Sequence, residues 1–445
     1  MNNNVVTRFA PSPTGNLNIG GVRTGIFAYL FARHNEGKFV LRIEDTDKER
    51  SKKEYEENII ESLQWLGIDY DVMYRQSENT KRYEELLLGL IDKDLAYISK
   101  ETPLEPGGRS EVIRFRNPNK VVEFKDEIRG VISFDTTELG DFVIAKSTNE
   151  PLFHFAVVVD DWDEDVTHVI RGEDHISNTP RQILIGEALG APRPVYAHLP
   201  LIVGPDKSKL SKRKGAKPIT EYRELGFLPE AILNFDAFLG WHPDGEKEIY
   251  TKEELVAEFT LERVQKSAAV LDETKLLWFN RKHIKKLSDV SFAEQLEEYM
   301  KMMGEELPRY TAAAVPLLKE RSETLLQAMD ALKEGEFEFF NADFIAPPAE
   351  LLLQGAKVHK EAVIAHFTEL ERLLGDLSDE AFTVEGVKNA VFPYATEAGR
   401  AGVLWPMRVM LSGKEKSPDP FTLAGLLGKE ETLRRLKAAL LVLKS

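Results

Sequence analysis

The sequence predicts an α/β protein: a Rossmann-like parallel-sheet domain, interrupted by an inserted α+β module and followed by all-helical domains. Three observations predict it. Residues 5–66 read strand, helix, strand, helix. The alternation resumes beyond about residue 155, and from about residue 225 the chain becomes predominantly helical in its periodicity.

Residues 5–10 are apolar and β-branched enough for a strand, which Pro11-Ser12-Pro13-Thr14-Gly15 ends. Ile19, Val22, Ile26, Leu30 and Phe31 then recur at helical spacing through Arg33. Gly37–Ile43 reads as a second strand ending at Glu44-Asp45-Thr46-Asp47, and Ser51 is placed to cap a helix through Tyr55, Ile59, Ile60, Leu63 and Leu66. Residues 95–150 alternate short strand-like runs, among them Val112–Phe115 and Val131–Phe134, with turn residues such as Pro106-Gly107-Gly108. Parallel strands are expected again at Phe155–Val159, Val166–Ile170 and His198–Val203, with a helix after Thr179-Pro180 between the last two. Amphipathic helices are expected at Pro229–Phe238, Lys252–Phe259, Phe292–Met303, Ala312–Lys333, Ala349–Leu374 and Leu423–Leu443.

A chain of 445 residues suggests two to four domains. It has no cysteine, which excludes disulfides, thiolate zinc sites and a cysteine nucleophile. No apolar run approaches the roughly 20 residues needed to span a bilayer. The start, Met1-Asn2-Asn3-Asn4, does not read as a signal peptide. A cytoplasmic protein that does not engage membranes is expected. The net charge of −16 argues against a nucleic-acid partner unless basic residues cluster locally. They do: Lys207–Lys217 holds six basic residues in eleven with no acid, and Arg281-Lys282 and Lys285-Lys286 form a second cluster.

Two segments carry chemistry. Pro11–Gly15 followed by Asn18-Ile19-Gly20-Gly21 places glycines at a helix N-terminus just past a strand, where free N–H groups and the helix dipole favour phosphate. Taken alone, this is equally a strand-to-helix turn with no ligand. About 190 residues later, Lys209-Leu210-Ser211-Lys212-Arg213 is a cationic loop by composition, of a kind that can neutralise a triphosphate. Alone, it is more often a solvated charge run.

Together with Leu41–Asp47, Val157–Asp161, Val169–His175, Gly226–Ala231 and Leu404–Arg408, in this order, these segments resemble class I aminoacyl-tRNA synthetases, and within them the glutamyl-tRNA synthetase family. The resemblance runs from Val5 to the C-terminus. It implies ATP-dependent ligation of L-glutamate to tRNA-Glu through a glutamyl-adenylate, with magnesium on the phosphates, no covalent enzyme intermediate and a monomeric chain; no zinc is expected, because the chain has no cysteine. It divides the chain into a catalytic domain (1–90 and 156–225), an acceptor-end module (91–155), a helical stem-contact domain (226–290) and helical anticodon-binding domains (291–445).

By position, the resemblance assigns glutamate binding to Arg8, Ala10, Ser12, Glu44, Phe153, Val157 and Arg171. Arg8 takes the side-chain carboxylate and Glu44 the α-amino group. ATP falls to Pro11, Gly20, Gly21, Lys209, Ser211 and Lys212, catalysis to Asn18, Lys209, Lys212 and Arg213, and anticodon stacking to Trp405 and Arg408. Without it, Arg8 reads as a strand-edge surface arginine, residues 44–47 as an acidic turn or metal loop, and Trp405 as core. The sequence departs from the family in several places. Asn18 stands where the family has a histidine, and Phe153 where a tyrosine is usual. Asp236 occupies a helix position expected to be apolar. The segment near 98–111 is shorter and lacks the cysteine zinc site of many members. Two alternatives remain open: a silent or weakly active tRNA-binding paralogue, and an enzyme that also charges tRNA-Gln with glutamate.

Overall fold

The structure is a computed structural model and describes residues 5–102, 110–208, 217–306, 312–340 and 344–445. It divides into two compact units, Met1–His283 and Ile284–Ser445.

The first unit begins β1 (Val6–Phe9), α1 (Ile19–His34), β2 (Lys38–Ile43), α2 (Lys53–Trp65), β3 (Val72–Arg75) and α3 (Thr80–Asp92). Next come β4 (Ala96–Lys100), β5 (Glu111–Phe115), β6 (Val121–Asp126), β7 (Gly130–Asp135), β8 (Phe142–Ser147) and β9 (Glu150–Pro151). They are followed by α4 (Phe153–Asp163), β10 (His168–Gly172), α5 (Thr179–Leu189), β11 (Val195–Leu199) and β12 (Ile202–Val203). The unit closes with α6 (Ile219–Glu224), α7 (Pro229–Ala237), α8 (Lys252–Glu258), β13 (Ala269–Val270) and α9 (Glu273–Lys286), the last running past the unit boundary.

The main sheet has seven strands in the order β3-β2-β1-β10-β11-β6-β7, parallel throughout except for the β6–β7 hairpin. Strands β4, β5, β8 and β9 form a separate antiparallel sheet. The chain winds outward from β1 through β2 to β3, then returns to lay β10 against the other side of β1. That reversal is the switch point at which open α/β sheets bind ligands, beyond the carboxyl ends of their strands. The apolar face of α1 packs on this sheet, with Ile19, Val22, Ile26 and Leu30 fully buried.

Several expectations are corrected. Phe155–Val159 is not a strand but the middle of α4. Its unbroken apolar run comes from a helix buried on most of its circumference, so no polar face reveals the period. Ser51 does not cap α2: the N-cap is Lys52, with no side-chain bond, and the Ser51 hydroxyl is buried without a partner. Backbone bonds from Ser51 N to Asp47 O (2.9 Å) and from Lys52 N to Pro13 O (3.0 Å) hold this turn, so the helix starts one residue later. Not all of residues 95–150 stands apart, because β6 and β7 extend the main sheet.

The second unit is helical: α10 (Asp289–Met302), α11 (Val315–Arg321), α12 (Leu325–Lys333), α13 (Ala349–Gln354), α14 (Lys360–Gly375), α15 (Val384–Ala398), α16 (Arg400–Ser412) and α17 (Pro420–Lys444). Ala312–Lys333 and Ala349–Leu374, each expected as one helix, are broken. Thr324 caps α12 by accepting from Gln327 N, and the second break falls at Gly355–His359. Helix α17 bends at Gly428, whose φ of 79° suits a residue without a Cβ. No helix among the described residues is long and apolar enough to cross a membrane.

Candidate active site

A cavity of about 1370 Å³ opens at the switch point. It is lined by Arg8 from the end of β1, Glu44 just past β2, Arg171 at the end of β10, and the first turn of α1. Ala10, Pro11, Ser12, Asn18, Gly20, Gly21, Phe153 and Val157 line it as well. Lys209, Ser211, Lys212 and Arg213 lie outside the described residues. Trp405 and Arg408 belong to the other unit.

Behind the cavity wall is a buried charge network. Arg42 is fully buried, with Nη2 2.7 Å from Asp161 Oδ1 and Nη1 2.7 Å from Glu164 Oε2. Its Nε lies 3.6 Å from Glu44 and 4.0 Å from Asp160. Arg8 Nε donates to the same Asp161 oxygen at 3.0 Å, and Arg8 Nη1 reaches Ile170 O at 3.4 Å. Two guanidinium groups thus face four carboxyls. Burial pushes Glu44 up to about 7 and Glu164 up to about 8, against the pull of Arg42. Burial would raise Asp161 too, but Arg8 and Arg42 hold it below the usual carboxylate range.

Sequence reasoning left Arg42, Asp160, Asp161 and Glu164 out of the site. A signal was present: an arginine inside the apolar run Phe39–Ile43, and acids spaced around a helix. Phe153, Val157 and Asp161, four residues apart, lie on one face of α4, so a single stripe supplies both a cavity wall and the carboxylate that orients Arg8. The reading of residues 44–47 as a metal loop is not supported. Asp45 accepts from Ser77 N (2.8 Å) and Ser77 Oγ (2.6 Å), and Asp47 pairs with Arg50 at 2.7 Å. Among the described residues, no three His, Asp or Glu side chains are placed to hold a metal.

Asn18 is the N-cap of α1: its Oδ1 accepts from Gly21 N at 2.9 Å. The first turn carries no acid, so the positive end of the helix faces the cavity undiminished. The chain returns to this place at residues 217–219, where Ile19 N bonds Lys217 O (3.4 Å) and Ile219 N bonds Leu17 O (2.8 Å). Arg171 is buried, with Nε 3.1 Å from His198 Nε2, Nη2 2.8 Å from Thr179 Oγ1, and its guanidinium 5.7 Å from the centre of the Tyr196 ring. Burial and the neighbouring Arg8 lower it to about 10. Asp236, where an apolar residue was expected, is fully buried, and neither carboxyl oxygen has a hydrogen-bond partner. Burial raises it well above the usual range, with Arg23 as the opposing charge.

In the second unit, Trp405 and Arg408 are half-buried on α16, with the guanidinium 4.6 Å from the ring centre. A Cβ on Gly355 would come within 2.3 Å of the Trp405 ring, so a glycine there lets the indole lie flat against the backbone. Trp405 Nε1 and Arg408 Nε are both buried donors without a partner.

The family described as tRNA synthetases class I (E and Q), catalytic domain, matches residues 4–105 and 104–278, and an anticodon binding domain family matches 291–440. A glutamate–tRNA ligase 1 of Acidithiobacillus ferrooxidans is 40% identical, over 98% of this chain and 99% of that protein. The glutamate–tRNA ligase of Aquifex aeolicus is 40% identical, over 97% and 98%. The crystal structure of a glutamate tRNA ligase from Elizabethkingia meningosepticum in complex with its amino acid matches with a TM-score of 0.80 at 32% identity, covering 99% of both chains.

Proposed function

The chain belongs to the glutamate–tRNA ligase family of class I synthetases, and from that premise we propose that it charges tRNA-Glu with L-glutamate in two steps. The glutamate α-carboxylate attacks the α-phosphorus of ATP, and pyrophosphate leaves. A hydroxyl of the tRNA's terminal adenosine then attacks the acyl carbon of the adenylate, and AMP leaves. The observation that carries this reading is the convergence of Arg8, Glu44 and Arg171 on one cavity with the uncapped-by-acid N-terminus of α1.

Arg8 would take the substrate's side-chain carboxylate. Asp161 and Ile170 O hold one side of its guanidinium, which turns the remaining edge to the substrate. Ionised Glu44 would hold the α-ammonium group, and Arg171 would face the amino acid. Ala10, Ser12, Phe153 and Val157 would shape the walls. Pro11 and the backbone of Gly20 and Gly21 would receive ATP, joined by Lys209, Ser211, Lys212 and Arg213 on the pyrophosphate side, with Asn18 as a neutral donor. Magnesium would come bound to ATP. It keeps water and phosphate ligands, which suits a cavity whose described residues form no metal-holding cluster. Trp405 and Arg408, half-buried on α16, would stack on and bond to unpaired anticodon bases with their exposed parts. Residues 91–155 would meet the acceptor end, 226–290 the stem and 291–445 the anticodon.

The test is ATP–pyrophosphate exchange with glutamate in the presence of tRNA, followed by aminoacylation of purified tRNA-Glu and tRNA-Gln. Exchange that depends on glutamate, with charging of tRNA-Glu, is expected. Charging of both tRNAs would make the enzyme non-discriminating. RNA binding without exchange would make it a silent paralogue.

A further inference from the structure

Three neighbouring strands of the main sheet place three polar side chains in a row. Arg171 on β10 and His198 on β11 are register partners, and β11 pairs with β6 at Tyr196 and Asp126. All three side chains are almost completely buried. His198 Nδ1 lies 2.6 Å from Asp126 Oδ2, and His198 Nε2 lies 3.1 Å from Arg171 Nε. Arginine can only donate, so Nε2 must be the acceptor nitrogen and Nδ1 must carry the proton, which it donates to Asp126. We propose that Asp126 is a positioning residue: by fixing the tautomer of His198, it makes His198 an acceptor for Arg171 and so sets the orientation of that guanidinium in the amino-acid pocket.

The geometry shows why a carboxylate is required at 126. Asp126 Oδ1 accepts from Ile128 N (3.0 Å) and Arg129 N (2.8 Å), which closes the β6–β7 turn. Oδ2 faces the imidazole, and the two oxygens share the His198 backbone N–H, at 3.1 Å from Oδ2 and 3.3 Å from Oδ1, so Oδ1 can keep that bond as well when Oδ2 is replaced. In Asp126→Asn the turn bonds stay with Oδ1, while an NH₂ replaces Oδ2. That group donates to His198 Nδ1, drives the proton to Nε2, and sets two N–H groups against each other at Arg171. Burial and the nearby Arg171 lower the His198 pKa, against the pull of Asp126, so the ring is neutral and a tautomer choice exists to be made. The Tyr196 ring stacks on His198 at 11°, and Phe124 lies 6.4 Å away, so the imidazole cannot rotate out of the row without unpacking both.

This inference rests on Arg171 being an amino-acid contact. The experiment measures KM for glutamate and for ATP in wild type, D126N, H198N and H198Q, and in D126N combined with H198Q, alongside ¹⁵N chemical shifts of the His198 ring. H198N keeps a donor toward Asp126 but nothing at the Nε2 position. H198Q keeps an oxygen acceptor for Arg171 whatever stands at 126. D126N and H198N are expected to raise KM for glutamate about tenfold, the scale of a lost charge-assisted bond, with KM for ATP within about twofold. H198Q is expected to stay within about threefold, and D126N to add nothing in its background. The ring shifts are expected to report Nδ1–H in wild type and Nε2–H in D126N. Unchanged KM for glutamate, a parallel rise in both KM values, or an unaltered tautomer in D126N overturns the relay. Should D126N not fold, a glutamate KM equal in H198N and H198Q overturns it. Absence of glutamate-dependent exchange in wild type overturns the functional reading instead, and the tautomer shifts are read without turnover.

Discussion

Replacing Asn18 with histidine separates two roles that meet at the start of α1. In the structure the side-chain oxygen of Asn18 is committed to the helix, accepting from Gly21 N at 2.9 Å, so only its amide NH₂ remains for a phosphate. A histidine is a poor N-cap, and losing the cap costs about 1 kcal/mol. In a unit of this size that lowers Tm by roughly 2 °C. An imidazolium, in return, offers a charge-assisted bond worth about 1.5–3 kcal/mol against about 1 for a neutral amide. A net gain of ~0.5–2 kcal/mol in transition-state stabilisation corresponds to a rate increase of about 2- to 30-fold. Expected, therefore, is a slightly less stable and faster enzyme, read by thermal circular dichroism and by exchange at saturating ATP with glutamate and tRNA. A drop in Tm with no rise in rate would refute the argument that residue 18 faces the transferred phosphorus. A faster enzyme with unchanged Tm would refute the assigned cap.

Three further outcomes follow from the buried charges. Arg42→Met leaves its carboxyl neighbours without their shared cation and lowers stability by about 3–5 kcal/mol near pH 8; in denaturant titrations the loss shrinks near pH 5.5, where those carboxyls take up protons. Glu44, at about 7, gains its charge as pH rises from 6 to 8, so KM for glutamate falls several-fold over that range, and Glu44→Gln flattens the profile. The sign for stability is the opposite. A carboxyl raised by folding binds its proton more tightly in the empty fold than in the unfolded chain, so its contribution is fullest below the ordinary carboxylate range and declines as pH rises to about 7. Asp236→Leu removes a buried acid with two unpartnered oxygens but takes from the buried Arg23 its first opposing charge, so the unfolding free energy in denaturant titrations falls, by about 3 kcal/mol, the scale of a broken buried pair.

Arg8, Glu44 and Arg171 were legible as site residues only through the family resemblance, and the cavity gathers all three; on pattern alone Arg8 reads as a surface arginine and residues 44–47 as an acidic turn or metal loop. The supporting charges were not legible as site residues, since the partner of Arg42 lies 119 residues away in the chain and only the fold brings it to 2.7 Å. Helix α4 read as a strand because burial on most sides erased its period. The long C-terminal helices read as continuous because local pattern says little about a break made by a capping threonine or by a glycine such as Gly355. Asp236 broke its apolar pattern, and the structure gives it the charge of Arg23 but no hydrogen bond.

The placement of β6 bears on how such a protein can be taken apart. Residues 91–155 read as an inserted module, which invites exchange as one piece. Yet its hairpin completes the main sheet and shields the edge of β11, and Asp126 stands in one row with His198 and Arg171, which lines the cavity. A chimera that swaps the whole segment would therefore exchange two strands of the main sheet along with the separate antiparallel sheet. Modular cuts have to fall inside the insertion, on either side of residues 121–135, so that the hairpin stays with the sheet it belongs to.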